Sequence, residues 1–220
     1  TFRIQDCVIG WTDASYCPEN LPSGGYQYFP TIDRDESNLG KFKYRSASTD
    51  VIGWVLEEAT GKPLAELISE YIWKPMGAEY DAYITVDKTG FMLADHGMNS
   101  TLRDLGRLGL LVMNEGVVNN KQIIPKDFID DLHQQDGDPY WPYEASADEH
   151  PYYRSFWWGK GNNEKDLNGV GIHGQFLRVA KEARIVIVIY STWPRADGDG
   201  NDQFWGKSED LLDAIVAKFR

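Results

Sequence analysis

The 220-residue sequence predicts an α+β protein, an antiparallel sheet flanked by helices. Three observations carry that prediction. Apolar residues recur at helical spacing through the middle of the chain. Strand-like runs begin at Tyr152. A last helical pattern, Glu209 to Phe219, closes the sequence.

Residues 1–43 come first and are irregular, with Gly, Pro, Ser, Asn and Asp recurring, as in Pro18-Glu19-Asn20-Leu21-Pro22-Ser23-Gly24-Gly25. The aromatic cluster Tyr26-Gln27-Tyr28-Phe29 interrupts them. A loop of this length in a compact domain is often functional, and it reads as a partly ordered wall over a cleft. Thr49 or Asp50 can then cap a helix with the apolar stripe Val51, Ile52, Val55, Leu56 and Ala59, stopped by Gly61. Pro63 opens a second helix, Leu64 to Ile72, and the pair reads as an αα-hairpin. Asp81 to Val86 alternates weakly, like an edge strand. Asn99-Ser100-Thr101 caps a third helix with Leu102, Leu105, Leu108, Leu111 and Val112 inward, and Gly116 ends it. Pro125 starts a fourth helix through Phe128, Ile129 and Leu132. Residues 134–151 read as a second long loop.

Strands follow at Ser155 to Gly159, Phe176 to Ala180 and Arg184 to Ser191, the last two joined at Lys181-Glu182-Ala183. The run Ile185-Val186-Ile187-Val188-Ile189 is continuously apolar and β-branched, as expected for a strand buried on both faces. Ser208 can cap the closing helix, with Leu211, Leu212, Ile215 and Val216 inward. No internal repeat interrupts this order, and all of it reads as one domain: a cleft loop at 1–43, a helical part at 44–151, and strands with a final helix at 152–220.

Composition narrows the function. The formal net charge is −12, which disfavours nucleic acid and anionic lipid alike. No apolar run approaches the roughly 18 residues of a membrane span, and Thr1 to Asp6 does not read as a signal peptide. The chain therefore reads as a mature, cleaved or truncated product. Cys7 and Cys17 are the only cysteines. One bridge between them is conceivable, and two unpaired thiols is the favoured reading. The four histidines, at 96, 133, 150 and 173, have no metal-ligand spacing, so neither metal nor cofactor is expected. No G-x-S-x-G, H-E-x-x-H, P-loop or dinucleotide fingerprint occurs. Among 34 carboxylates no single Asp/Glu pair is informative, so an acidic carbohydrate hydrolase stays open.

Two short segments point to chemistry. Tyr44-Arg45-Ser46 lies just before a helix. It reads either as a loop anchor and turn, or as a general base at Tyr44. A phenol ionises near pH 10, so its use at neutral pH costs roughly 4 kcal/mol and calls for a nearby cation. Gly171-Ile172-His173-Gly174-Gln175 enters a strand, where a backbone N–H can stabilise an oxyanion, worth roughly 3 kcal/mol. His173 can equally be a satisfied edge histidine. Trp157-Trp158 must point to opposite faces of a strand, so at most one lines a cleft.

Together with Ile84-Thr85-Val86-Asp87-Lys88-Thr89-Gly90-Phe91, Thr101-Leu102-Arg103-Asp104-Leu105-Gly106-Arg107 and Ser191-Thr192-Trp193-Pro194, these segments resemble the β-lactamase-like serine hydrolases. Within these the 6-aminohexanoate-dimer (nylon-oligomer) hydrolase group is most similar. The resemblance runs from about residue 40 to the C-terminus and implies a β-lactamase/transpeptidase-like fold. It also implies a bacterial enzyme that opens small amides or esters through an acyl-enzyme. Carried over, Tyr44 is the catalytic Tyr and Ile172 donates an oxyanion N–H. Ser46, Tyr16, Asp95, Trp158, His173 and Asp197 fall at substrate-contacting positions. The family's Ser-x-x-Lys is not in this chain, because no Ser has Lys three positions on. The resemblance therefore implies a missing N-terminal segment of the same domain as partner, and an inactive chain without it. The third motif lacks Lys-Thr-Gly, so penicillins should be poor substrates. A catalytically inactive binding member of the fold is the alternative. The compartment stays open between periplasmic or secreted and cytoplasmic, and the oligomeric state is open, a homodimer included.

Overall fold

A computed structural model describes residues 7, 19–33, 36, 43–134, 152–160, 165–196 and 202–220, without the side chains of 202 and 203. Two compact units emerge, Thr1–Tyr71 with Asp81–Ser100, and Ile72–Tyr80 with Thr101–Arg220.

The first unit holds α1 (Gly25–Tyr28), α2 (Ser46–Thr60) and α3 (Leu64–Ile68), the last running into a π-helical turn at Ser69–Trp73. Its core joins Tyr28 and Phe29 to Phe91 and Leu93, with Ala47, Val51 and Trp54 of α2 laid against them. Leu64 and Leu67 of α3 pack on Met92 in an adjoining cluster. The buried face of α2 is therefore the row Ala47, Asp50, Val51 and Trp54. The predicted stripe is off by most of one residue's turn, since Ile52, Val55 and Leu56 are exposed. The predicted cap is also corrected. Arg45 is the N-cap, and Asp50 lies inside the helix, fully buried. Gly61 does end α2, in a left-handed conformation. In place of an edge strand at Asp81 to Val86 there are two isolated antiparallel bridges, Tyr83 to Asn99 and Val86 to Met92.

The second unit is built on a five-stranded antiparallel sheet. Its strands are β3 (Tyr152–Arg154), β4 (Trp157–Gly159), β5 (Asp166–Gly171), β6 (Gln175–Ala180) and β7 (Ile185–Ile189), in that spatial order. Before them come α4 (Leu102–Met113), the two-residue strands β1 (Val117–Val118) and β2 (Lys121–Gln122), and α5 (Lys126–Leu132); α6 (Asp202–Ala217) closes the chain. Thr101 caps α4 by accepting the Asp104 N–H, as the sequence suggested. Val112 of α4 and Ile129 and Leu132 of α5 form one cluster with Leu167 and Val179 of the sheet. Gly109 permits that approach, because a Cβ there would lie 2.5 Å from Val186 Cγ1 and 2.9 Å from Leu177 Cδ1.

Three expectations for this unit change. Ser155 and Phe156 have positive φ and form a turn, so the strand is Trp157–Gly159 only. β7 is half-buried along its whole length, not enclosed on both faces; it is the last strand in the sheet's order. α6 begins at Asp202, ahead of the Ser208 cap, and Leu211 faces solvent while Leu212 and Val216 are buried. The link between α6 and the sheet is a buried cation that periodicity could not reveal. Arg178 is fully enclosed. Its guanidinium donates to Asn168 Oδ1 at 2.7 Å, Glu209 Oε2 at 2.5 Å and Asp213 Oδ1 at 2.5 Å.

Cys7 is disulfide-bonded, against the favoured reading of free thiols. A cross-link of this kind can hold a stretch whose sequence offers little apolar periodicity. Among the described residues no helix is long and apolar enough to cross a membrane.

Candidate active site

Each unit gathers part of the predicted site. In the first, Tyr44 precedes α2, Arg45 is extended, and Ser46 is the first helical residue. Farther along α2, Asp50 points inward. Its Oδ1 accepts the N–H groups of Ala94 at 2.8 Å and Asp95 at 3.1 Å. Its carboxyl group is also hydrogen-bonded to that of Asp95. Asp95 in turn lies against Nδ1 of His96. One helix therefore carries both Tyr44 at its entrance and the carboxyl group that fastens the 94–96 loop.

The electrostatics follow from that clustering. Burial first, and the Asp95 charge second, push Asp50 up to about 7. Like charges this close resist joint ionisation, so Asp50 keeps its proton through mildly acidic solution. The Tyr44 phenol, 41% exposed, is held above its ordinary value of 10 by burial first and by Asp95 second. Its surroundings here therefore oppose the phenolate. A general-base role requires a cation strong enough to outweigh both effects.

In the second unit, β5 and β6 are joined by the turn Ile172-His173-Gly174. His173 takes a left-handed φ of 58° and Gly174 one of 80°. Only glycine suits position 174, since a Cβ would meet the Trp193 ring at 2.3 Å. The turn is tied to the chain beyond β7. The His173 N–H donates to the Ala196 carbonyl, and the Trp193 N–H to the His173 carbonyl, both at 3.1 Å. Nδ1–H of His173 donates to the Trp193 carbonyl at 2.7 Å. Half of the imidazole's hydrogen-bonding capacity is thus spent on holding the turn. Ile172 is exposed, and its N–H has no hydrogen-bond partner among the described residues. An open N–H on a rigid turn is the form an oxyanion donor takes.

The two tryptophans divide as strand alternation requires. Trp157 packs on the cluster of Val112, Ile129, Leu132, Leu167 and Val179. Trp158 takes the other face, edge-on to Tyr153 with centroids 4.7 Å apart.

Tyr44, Ser46 and Asp95 thus belong to the first unit, and Trp158, Ile172 and His173 to the second. Tyr16 and Asp197 lie outside the described residues. Sequence reasoning missed Asp50, His96 and Gln175. An Asp on the apolar row of a helix was the available signal for Asp50, and it was read as a cap. Among the described residues no group of three or more His, Cys, Asp or Glu side chains could hold a metal ion.

This fold and these motifs define a class, and comparison with known proteins agrees. A profile of the beta-lactamase family matches residues 35–209, so the chain belongs to that family. A curated relative, the 6-aminohexanoate-dimer hydrolase of Paenarthrobacter ureafaciens, is 34% identical over 197 residues, covering 89% of this chain and 49% of that protein. The chain thus spans about half the length of that relative. A solved structure from Bacillus anthracis, proposed as a 6-aminohexanoate-dimer hydrolase, superposes with a TM-score of 0.78 at 26% identity, covering 97% of this chain and 54% of the other. EstCE1, a hydrolase with promiscuous acyltransferase activity, shares the fold at a TM-score of 0.52 and 15% identity, over 73% of this chain and 54% of its own. The chain is thus a beta-lactamase-family member with a β-lactamase/transpeptidase-like fold of antiparallel sheet and helices.

Proposed function

We propose that the chain is part of a serine hydrolase that opens small amides or esters through an acyl-enzyme. Linear amides of the 6-aminohexanoate-dimer kind are the first to try. The nucleophilic Ser and its Lys would be supplied by sequence outside these 220 residues, none of whose serines has Lys three positions on. The Ser Oγ attacks the substrate carbonyl carbon and its proton passes to Tyr44, whose phenolate the Lys ammonium stabilises. The resulting oxyanion accepts a hydrogen bond from the Ile172 N–H. Collapse breaks the bond to the amine or alcohol, which leaves with the proton held on Tyr44. Water repeats the sequence on the acyl-enzyme and releases the acid. Ser46, Asp95, Trp158 and His173, with Tyr16 and Asp197, would contact the substrate, and no cofactor takes part.

The observation that carries this reading is the Ile172 N–H, which has no hydrogen-bond partner among the described residues and belongs to an exposed residue on a turn tied to the chain beyond β7. Incubating the full-length protein with a fluorophosphonate probe tests it. Labelling of one serine per chain, with turnover of aryl esters, is the expected result. No labelling with retained ligand binding would instead favour the inactive binding member, the reading that the lack of a Ser-x-x-Lys keeps in view. Turnover of aryl glycosides would favour a carbohydrate hydrolase.

A further inference from the structure

We infer that Gln175 is a positioning residue, a clasp that aims the Ile172 N–H; this role rests on the hydrolase reading above. Gln175 is the first residue of β6, opposite Gly171 in the ladder. Its side-chain amide does not point to solvent. Nε2 donates to the carbonyls of Ile172 at 3.2 Å, His173 at 3.1 Å and Ser191 at 2.7 Å. Oε1 accepts the Ser191 N–H at 3.3 Å. One side chain therefore holds the β5–β6 turn and the chain leaving β7 together. It satisfies the two turn carbonyls that follow the Ile172 amide, the one that is to meet the oxyanion.

The geometry leaves little freedom for substitutes. Two N–H hydrogens serve three carbonyls, so one contact is shared, and only a primary amide has both those donors and an acceptor for Ser191. The neighbouring residue is fitted to the clasp. A Cβ on Gly171 would sit 3.0 Å from the Cβ and 3.3 Å from the Cγ of Gln175. The other ties on this turn act through His173. The Ile172 N–H lies in the peptide plane shared with Gly171, which the β5–β6 ladder anchors, and Gln175 holds the Ile172 carbonyl in the plane that follows, so Ile172 sits between two anchored peptides. An oxyanion donor is worth its full effect only when its orientation precedes the reaction. A donor free to rotate loses part of it, so losing the clasp should slow acyl transfer and leave substrate affinity nearly unchanged.

Gln175→Ala and Gln175→Glu in the full-length protein test this, assayed on an aryl ester alongside wild type. Gln175→Ala should lower kcat about 10–100-fold with KM within about twofold, and speed hydrogen exchange at the Ile172 to Gly174 amides. In Gln175→Glu a carboxylate would face three carbonyls and donate to none. Its rate relative to wild type should therefore recover as pH falls and the carboxyl regains a donor, which a merely structural residue would not do. A folded Gln175→Ala with wild-type kcat overturns the role while leaving the hydrolase reading intact. So does a Gln175→Glu to wild-type ratio that is flat with pH. A wild-type protein that neither labels nor turns over ester overturns both, and is told apart by failing before any variant is made.

Discussion

The carboxyl groups of Asp50 and Asp95 are hydrogen-bonded to each other, with Asp50 fully buried inside α2 and its Oδ1 already accepting two backbone N–H groups. Buried beside that second carboxyl, Asp50 holds its proton to a higher pH than a carboxyl in water would. Asp50, at about 7, retains its proton in the fold across a range where the unfolded chain, near 3.8, has lost it. The folded state thus binds more protons between those values, and the linkage slope is negative. Below about 4 this pair should not penalise stability. Stability should then fall as pH rises toward 7, with the full penalty above it. Asp50→Asn keeps an oxygen for Ala94 and Asp95 and offers Asp95 a permanent donor. Denaturant unfolding from pH 4 to 8 should therefore show the variant gaining on wild type as pH rises. A constant difference across that range would rule out a raised Asp50 in the fold.

Tyr44 faces the same cluster from the other end of the relationship. On the hydrolase reading, Tyr44→Phe removes the proton acceptor and should cut kcat by about 10²–10⁴-fold with modest change in KM. Asp95→Asn removes the charge that helps hold the phenol above 10. The ascending limb of kcat/KM against pH should then move to lower pH, since less alkali is needed to take the proton from Tyr44. A limb that stays in place would mean that Tyr44 is not the group titrating.

What the sequence made legible, and what it hid, divides along physical lines. Elements whose stability is local were readable. Thr101 caps α4, Gly61 ends α2, and the β6–β7 hairpin turns at residues 181–184, close to where turn residues placed it. Burial decided by contacts distant in sequence was not readable. The face that α2 hides depends on Phe91 and Leu93, and Asp50 is satisfied by backbone groups of Ala94 and Asp95. Arg178 reads as a polar interruption of an apolar strand until α6 brings Glu209 and Asp213 to it. For the site, residue types with a chemical signature stood out, Tyr44 and the Gly171 to Gln175 turn among them. Gln175 itself carries no such signature, because its importance lies in which carbonyls its amide reaches.

Arg178 gives a stability test independent of function. Removing it by Arg178→Ala leaves the carboxylate of Glu209 buried without its cation, and breaking such a pair costs about 3–5 kcal/mol. The double variant Arg178→Met with Glu209→Leu removes the stranded charge as well and should recover most of the loss. Chemical denaturation of both variants checks the pair. A double variant no better than the single one would mean that Arg178 acts through packing and not through its charge.

Trp157 and Trp158 provide the sharpest separation of fold from site, because adjacent strand residues must serve opposite faces. Trp157 lies on the cluster formed by α4, α5 and the sheet, so Trp157→Ala opens a void there. Tryptophan truncation in a core costs about 3–5 kcal/mol, and the partial exposure here places the expected loss at the lower end of that range. Trp158 contacts Tyr153 across the β3–β4 pair. Trp158→Ala should cost less stability, about 1 kcal/mol for the lost aromatic pair plus a share of its burial. On the hydrolase reading it should also change KM and the preference among acyl groups, since its indole would line the acyl pocket. Unfolding curves should therefore single out Trp157→Ala, and ester-series kinetics Trp158→Ala. If Trp157→Ala altered acyl preference and Trp158→Ala did not, the acyl pocket would belong to the other face of the sheet, and Trp158 would lose its place in the site.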